Sequence, residues 1–545
     1  MNKLIKEIVD TLYPQLRKLG VSENIEFIVS KLPEWDLQIN HLIKYKSHKA
    51  YEKIVNEVTN VLKSTNYFKE IELTDIGFIN LKINHKYLSS TLTNQNIDFR
   101  VNKPIKIIID YGGPNLGKPL HVGHIRTLNI GRSLYNMNKF VGNEVVSDLH
   151  LGDWGMPIAQ ILCYLEINNE STDNISFNEL QSVYPKASLE YSSNQEFKNK
   201  AQEINKSLNN EDANYISQWK KIKKVSINSL KENFVLLNHQ FDYWYGESDV
   251  NALIEPMLED LKKNGKIIED DNALISSENI EPRVLITKSD GSYLYITTDL
   301  ATTLFRQNNI PYEKALYVVD KRQSLHFQQL FSSIRYFGFN DNQHEHIAYG
   351  TMNDKNGNPF KTRDGETKPL KELFEETYSY IKTINPSLNE SNLNNLTNSV
   401  LSFSDLLTNR MTDYKFDLEK FTNISGKTGV YIQYAQVRAQ KLAKHLSDVE
   451  PDFSEKISDN DQKLLTKLFL FGIYLDQSIA LNEPHHLANY LYEICNLFNV
   501  FYEEEKLSGI IDQGKLSTKL YILDLFITTC HNTMFCLGIT PVEEM

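Results

Sequence analysis

KIIIDYGGPNLGKPLHVGH, residues 106–124, decides the fold. KIIID is an unbroken apolar run rich in β-branched residues, which suits a strand covered on both faces of a parallel sheet. The loop after it holds Gly112, Gly113 and Gly117, which let backbone approach a ligand, and Pro114 and Pro119, which stiffen it. A helix is expected from about 123 to 140. His121 and His124 stand three apart at its opening, so both imidazoles share one face. A helix N-terminus adds free N–H groups and the positive end of a dipole, and the whole forms a cradle for a phosphate chain. Gly123 leaves room for a flat adenine or ribose against the backbone. NEVVSDLHL, 143–151, reads as the next strand. Strand, loop, helix and strand make one βαβ unit, the start of a nucleotide-binding α/β fold.

Before this unit lies a smaller α+β module. Residues 1–20 and about 49–64 have helical spacing, and IELTDIGFINLKIN, 71–84, alternates as two strands around a glycine turn. Asn94 to Asn102 is polar and reads as a linker. After the βαβ unit, residues 169–200 are polar and read as an insertion or loose helical connection, and 211–240 regain helical periodicity. RVLITK, YLYIT and ALYVVD read as strand-like pieces of a resuming sheet. From about 395 the spacing is helical, which predicts a bundle of about 150 residues. The expected division is 1–100, 101–394 and 395–545.

The chain has 545 residues, enough for several cores, and a formal net charge of −12. That charge argues against a chain that coats nucleic acid indiscriminately, while leaving a local basic patch open. The four cysteines, Cys163, Cys495, Cys530 and Cys536, form no C-x-x-C pair and read as reduced, buried thiols. No clustered ligand set of the kind zinc needs is seen, so no metal site is expected. The N-terminus is charged throughout and no apolar run of about 18 residues occurs, so neither a signal peptide nor a membrane span is expected. A cytoplasmic location follows.

The four letters H-x-G-H alone would carry little. With Pro114, Asn115, Lys118 and Pro119 beside them, the motif resembles the HIGH signature of class I aminoacyl-tRNA synthetases, in its arginyl-tRNA synthetase form. LGDWG (151–155), FDYWYGES (241–248), KSDGSYLYITTDLA (288–301), YGTMNDKNGNPFKTRDG (349–365) and TGVYIQYAQVR (428–438) resemble further strings of that family, in order. The resemblance implies a Rossmann-like catalytic domain, an N-terminal α+β domain for tRNA, and an all-α anticodon-binding bundle. It implies an arginine–tRNA ligase that uses ATP with Mg²⁺, joins L-arginine to tRNA(Arg), and works as a monomer.

Carried onto this chain, the resemblance assigns ATP and its phosphates to Gly123, His121, His124, Lys118, Lys361 and Arg363. The last two sit in PFKTRDG, which matches the family's mobile KMSKS-like loop but lacks its second lysine. Lys118 is implied to supply that missing charge. Arginine falls to Asn115, Glu247, Tyr295, Asp299 and Gln323. The chemistry agrees: a guanidinium presents a planar fork of N–H donors that carboxylates match in bidentate fashion. For tRNA the matching residues are Gln38 and Asn40 in WDLQIN, and Tyr431, Gln433, Tyr434 and Arg438 in the bundle, where aromatics can stack unpaired bases. Trp154 suits either a place beneath the substrate or a core aromatic. Met156, Pro157 and Thr298 depart from the family's usual letters, as does DKR before QSLH. A non-catalytic paralogue, binding tRNA or a partner as an adaptor, is the alternative reading.

Overall fold

The computed structural model describes residues 3–21, 25–84, 99–277, 284–289, 292–340, 342–360, 367–445, 458–504, 509–510 and 512–545. The N-terminal module holds α1 (Lys3–Lys18), β1 (Ile28–Val29), β2 (Leu37–Ile39), α2 (Tyr51–Ser64), β3 (Phe68–Leu73) and β4 (Ile79–Ile83). Its antiparallel sheet runs β1-β2-β4-β3. Gly77 makes the β3–β4 turn with φ 98, a left-handed angle that glycine adopts freely. The helices bury Ile5, Ile8, Leu12, Ile54 and Val58 against this sheet. Leu465, Phe469, Leu470 and Ile473 of the C-terminal half complete the same core, so the module docks on the bundle.

The central sheet is parallel, in the order β11-β10-β5-β6. Its strands are β5 (Lys106–Tyr111), β6 (Glu144–Asp148), β10 (Lys314–Val318) and β11 (Gln343–His346), and α3 (His124–Phe140) joins the first two. Ile107, Ile108 and Ile109 are all buried, as a strand covered on both faces requires. The polar segment after β6 is ordered helix: α4 (Met156–Ile167), α5 (Phe177–Ser193), α6 (Gln195–Asn209) and α7 (Ala213–Leu236). Ser176 and Glu179 cap α5 reciprocally, and Phe197, Ala201, Ile204 and Leu208 turn the apolar side of α6 inward.

Next come α8 (Glu247–Lys263), a small antiparallel sheet of β7 (Ile267–Asp270), β8 (Ala273–Ser276) and β9 (Leu285–Thr287), and α9 (Tyr295–Asn309). RVLITK does form a strand, but in this small sheet and not in the parallel one. YLYIT is not a strand: only Tyr293 makes an isolated bridge, to Thr287, and Tyr295 opens α9. Its apolar residues Ile296, Leu300 and Ala301 are buried at helical spacing, and that packing outweighs local β propensity.

After β10, α10 (Ser324–Phe337) and β11, the chain forms β12 (Met352–Asn353), α11 (Leu370–Ile384) and α12 (Glu390–Leu406). Then β13 (Tyr414–Lys415) returns to pair with β12. The C-terminal helices are α13 (Leu418–Phe421), α14 (Gly429–His445), α15 (Asp459–Phe469), α16 (Phe471–Ala480), α17 (His485–Glu504) and α18 (Gln513–Cys536). One continuous apolar core runs from Ile107 through α3 and α12 to Phe498, Phe526 and Val542. Buried polar links reinforce it: Arg126 Nε meets Asp405 at 2.9 Å, and Asn129 Nδ2 donates to the same carboxylate at 3.0 Å.

Candidate active site

The HVGH turn lies at the C-terminal end of β5, where open α/β sheets place their ligands. His121 and His124 face each other with ring centroids 4.0 Å apart. His121 Nδ1 accepts the Gly123 N–H at 3.1 Å. His124 Nδ1 lies 3.0 Å from the His121 N–H, a group that can only donate, and 3.3 Å from the His121 carbonyl. The shorter contact makes Nδ1 the acceptor, so both rings carry their proton on Nε2. Burial lowers both pKa values, aided at His124 by His121 and at His121 by Lys118; His124 falls to about 3. Both rings are therefore neutral Nε2–H donors. A Cβ on residue 123 would stand 2.8 Å from His121 Cε1, so only glycine fits beneath that ring.

Lys118 is exposed, with Nζ 4.4 Å above the ring of Tyr184 on α5. Lys361 and Arg363 lie outside the described residues. Both feet of their loop are described, and one is bonded to the histidine turn: the Val122 N–H donates to the Lys368 carbonyl at 3.0 Å, and the Leu370 N–H to the Leu120 carbonyl at 2.8 Å. Phe360 at the other foot accepts from the Lys368 N–H at 3.4 Å.

The acidic groups come from LGDWG, the start of α8 and the first turns of α9. Glu247 opens α8, its N–H bonded to the Leu151 carbonyl at 3.1 Å. Burial raises its pKa to about 8, with Asp153 and Asp299 adding like charge nearby. Asp153, fully buried, accepts from Ser248 N and Oγ and from Lys223 Nζ at 2.5 Å. Asp299 sits one turn after Tyr295 on α9, and its Oδ2 is 2.6 Å from His326 Nε2 on α10. Tyr295 is 74% exposed, and burial, then Glu247, then Tyr184 raise its pKa. Asn115 pairs with Gly152 across a parallel bridge, bringing the loop before the histidines against LGDWG. Gln323 is exposed at the start of α10.

The match to known proteins spans the chain. Residues 87–418 match the model of the class I (R) tRNA synthetase catalytic domain, and 432–545 that of the DALR anticodon binding domain. An arginine–tRNA ligase of Francisella tularensis is 31% identical over 98% of this chain and 99% of its own length. The chain belongs to the class I arginyl-tRNA synthetases. A second such ligase, from Alkaliphilus oremlandii, is 32% identical over 91% of each chain. The fold is that of the arginyl-tRNA synthetases of Plasmodium falciparum (22% identity, TM-score 0.81, covering 99% of each chain) and Thermus thermophilus (18%, TM-score 0.81, covering 99% and 100%).

Within this synthetase fold the residues matched to tRNA-facing positions separate. In the N-terminal module Gln38 donates to Asn80 at 2.8 Å, and Asn40 precedes a short 3-10 turn with its side chain not used in a cap. In the bundle, Arg438 stacks between Tyr434 (4.6 Å) and Tyr502 (4.4 Å). Tyr431 accepts from Asn499 at 2.8 Å; all three are partly exposed. Gln433 is corrected by its placement: it is wholly buried, its Nε2 bonded to Ser399 Oγ and the Thr540 carbonyl, its Oε1 to the Val542 N–H. No polar atom of it remains for a nucleotide. Trp154 is partly buried, edge-on to Trp219 at 5.1 Å, with Nε1 donating to Asn209.

Sequence reading missed several residues that shape the site. Asp153 and Lys223 hold the start of α8, His326 holds Asp299, and Tyr184 faces Lys118. Arg306 of α9, fully buried, joins Asp110 at 2.6 Å and Asp148 at 2.7 Å. The only prior signals were the aspartate inside LGDWG and the histidine inside QSLH. Their partners lie far away in the chain.

Proposed function

We propose that this chain activates L-arginine with ATP and transfers it to the 3′-terminal adenosine of tRNA(Arg), with the residues assigned as follows. ATP enters as its Mg²⁺ complex. The arginine carboxylate attacks the α-phosphorus, the bond to the β,γ-pyrophosphate breaks, and arginyl-adenylate forms. His121 and His124 donate Nε2–H bonds to the phosphate oxygens as charge builds there. Lys118, with Lys361 and Arg363 from the loop rooted beside them, neutralises the departing pyrophosphate. In the second step a terminal ribose hydroxyl, the 2′, attacks the adenylate carbonyl and AMP leaves.

Glu247 and Asp299 receive the guanidinium, Tyr295 and Gln323 border it, and Asn115 holds the α-amino end. Lysine is rejected because one ammonium cannot satisfy fork-spaced acceptors, and an unpaired buried carboxylate opposes its binding. What supports this reading is the pair of neutral, Nε2-protonated histidines at the opening of α3, together with a buried Glu247 that feels the like charges of Asp153 and Asp299.

The divisions 1–100, 101–394 and 395–545 serve tRNA contact, catalysis and anticodon reading, through Gln38 and Asn40 in the first and Tyr431, Tyr434 and Arg438 in the last. The enzyme works as a cytoplasmic monomer; among the described residues no helix is long and apolar enough to cross a membrane. ATP–pyrophosphate exchange with each amino acid, with and without tRNA, tests the reading. Exchange dependent on arginine alone among the amino acids is expected; no exchange under any condition would favour the adaptor.

A further inference from the structure

The turn after α16 and the first two residues of α17 read Glu483-Pro484-His485-His486. Asn482 before it takes a left-handed φ of 51, and Pro484 locks its own φ, so the bend is preset. It gathers three ligating side chains on one side. Glu483 Oε2 stands 3.1 Å from His486 Nε2 and 3.7 Å from His485 Nδ1. One donor atom from each residue lies within 4.8 Å of the other two. A tetrahedral cation about 2.0–2.1 Å from its N and O ligands holds them roughly 3.4 Å apart, and the two short separations bracket that value.

The imidazoles lean on each other with centroids 4.0 Å apart. His485 Nδ1 is buried and has no hydrogen-bond partner, an arrangement that costs stability unless something fills it. The three side chains are 18–24% exposed, which leaves a solvent side for entry and for a water ligand.

The place in the fold gives such a site a consequence. Glu483 Oε1 accepts from Asn409 Nδ2 at 3.2 Å, just after α12. Asn482 Nδ2 donates to Glu345 of β11 at 2.8 Å, and the Asn482 carbonyl accepts from Arg410 Nε at 3.1 Å. Arg410 Nη1 also bonds the Ala348 carbonyl at 2.6 Å. This turn is thus the seam between the catalytic sheet and the helical bundle.

We propose that Glu483, His485 and His486 bind one divalent transition-metal cation of the zinc class, which fastens the α16–α17 turn where the bundle meets the catalytic half. Two imidazoles and one carboxylate form a borderline donor set that favours Zn²⁺ or Co²⁺ over Mg²⁺ or Ca²⁺. The sequence reading looked to the cysteines for metal ligands and expected no site; a carboxylate and two adjacent histidines become a ligand set only when the turn brings their donor atoms together.

The test uses the full chain, stripped with a chelator and dialysed. Titration with ZnCl₂ by calorimetry should show one equivalent bound, a higher Tm with Zn²⁺, and four-coordinate visible absorption with CoCl₂. His485→Asn and His486→Gln should each weaken Zn²⁺ binding about tenfold or more, while arginylation in zinc-free Mg²⁺ buffer shows that the variants fold. Should either variant fail to fold, Glu483→Gln supplies the same comparison. No saturable uptake of Zn²⁺ by the unaltered protein, or uptake that persists in the substituted ones, would overturn the proposal.

Discussion

Lowering the pH from 9 to 6 should weaken arginine binding about a hundredfold through Glu247 alone. In the ligand-free fold this carboxyl has a pKa near 8, raised mainly by burial and then by Asp153 and Asp299. A bound guanidinium requires the ionised form, so the proton must leave as arginine enters. With a pKa of about 8, roughly one molecule in eleven is competent at pH 7 and one in a hundred at pH 6. The apparent Kd therefore climbs steeply below pH 8 and levels above it. Isothermal titration in two buffers of different ionisation enthalpy should count about 0.9 proton released per arginine at pH 7.

Glu247→Gln is the decisive comparison. It should bind arginine weakly at every pH and lose this proton release, whereas titration of arginine's own amino group is common to both proteins and cancels. Stability should move the other way. A raised folded-state pKa gives stability that is full below about pH 4.5 and lost as the pH rises toward 8. Glutamine cannot ionise, so the ligand-free variant should be the more stable protein at pH 8, by a few kcal/mol at most. A wild-type arginine Kd that stays flat from pH 6 to 8.5, or an equal proton count in the variant, would refute the reasoning.

Replacing either imidazole, as in His121→Asn or His124→Asn, should slow adenylate formation by about 10²–10³ in single-turnover assays. His124 should not titrate between pH 6 and 8, since its pKa falls to about 3. Gly246→Ala should lower the Tm and raise the arginine KM: its Cβ would stand 2.5 Å from Asp153 Oδ1 and push that carboxylate off Lys223 and Ser248, at a cost of about 1–3 kcal/mol. Arg126→Met should strand the buried Asp405 and cost about 3–5 kcal/mol in urea unfolding. Gln433→Ala should lose about 1–3 kcal/mol of stability while the KM for tRNA stays unchanged; a raised KM at unchanged Tm would return Gln433 to the tRNA-facing surface.

The strand, glycine loop and histidine turn were legible because everything they need is local: a β-branched run, punctuation and a helix start. Family strings carried Glu247 and Asp299 to the site, though no spacing in the chain relates them. What was illegible is what depends on distant partners. Asp153 meets Ser248 and Lys223 some 70 to 95 positions away, and Gln433 is buried by Ser399, Thr540 and Val542. YLYIT misled because alternating aromatic and β-branched residues suit a half-buried strand and a helix opening alike. Only the burial of Ile296, Leu300 and Ala301 on one side of α9 separates the two.

Arg306 shows how such a distant contact sets the geometry of the candidate site. Its guanidinium joins Asp110 at the end of β5 to Asp148 at the end of β6, fastening α9 to the rim of the sheet. Asp299 lies two turns earlier on that helix, so its height above the rim is set by this contact. Asp148 also accepts the Tyr245 N–H at 3.3 Å, two residues before Glu247. Both carboxylates assigned to the guanidinium thus take their position from one buried charge cluster, and the strand that carries Asp110 near its end leads into the histidine turn. A buried cation shared by two carboxylates costs desolvation and is weak evidence for stability. Here its geometry gives it another use, because it ties the helices that carry the carboxylates proposed for arginine to the strand that leads into the histidine turn.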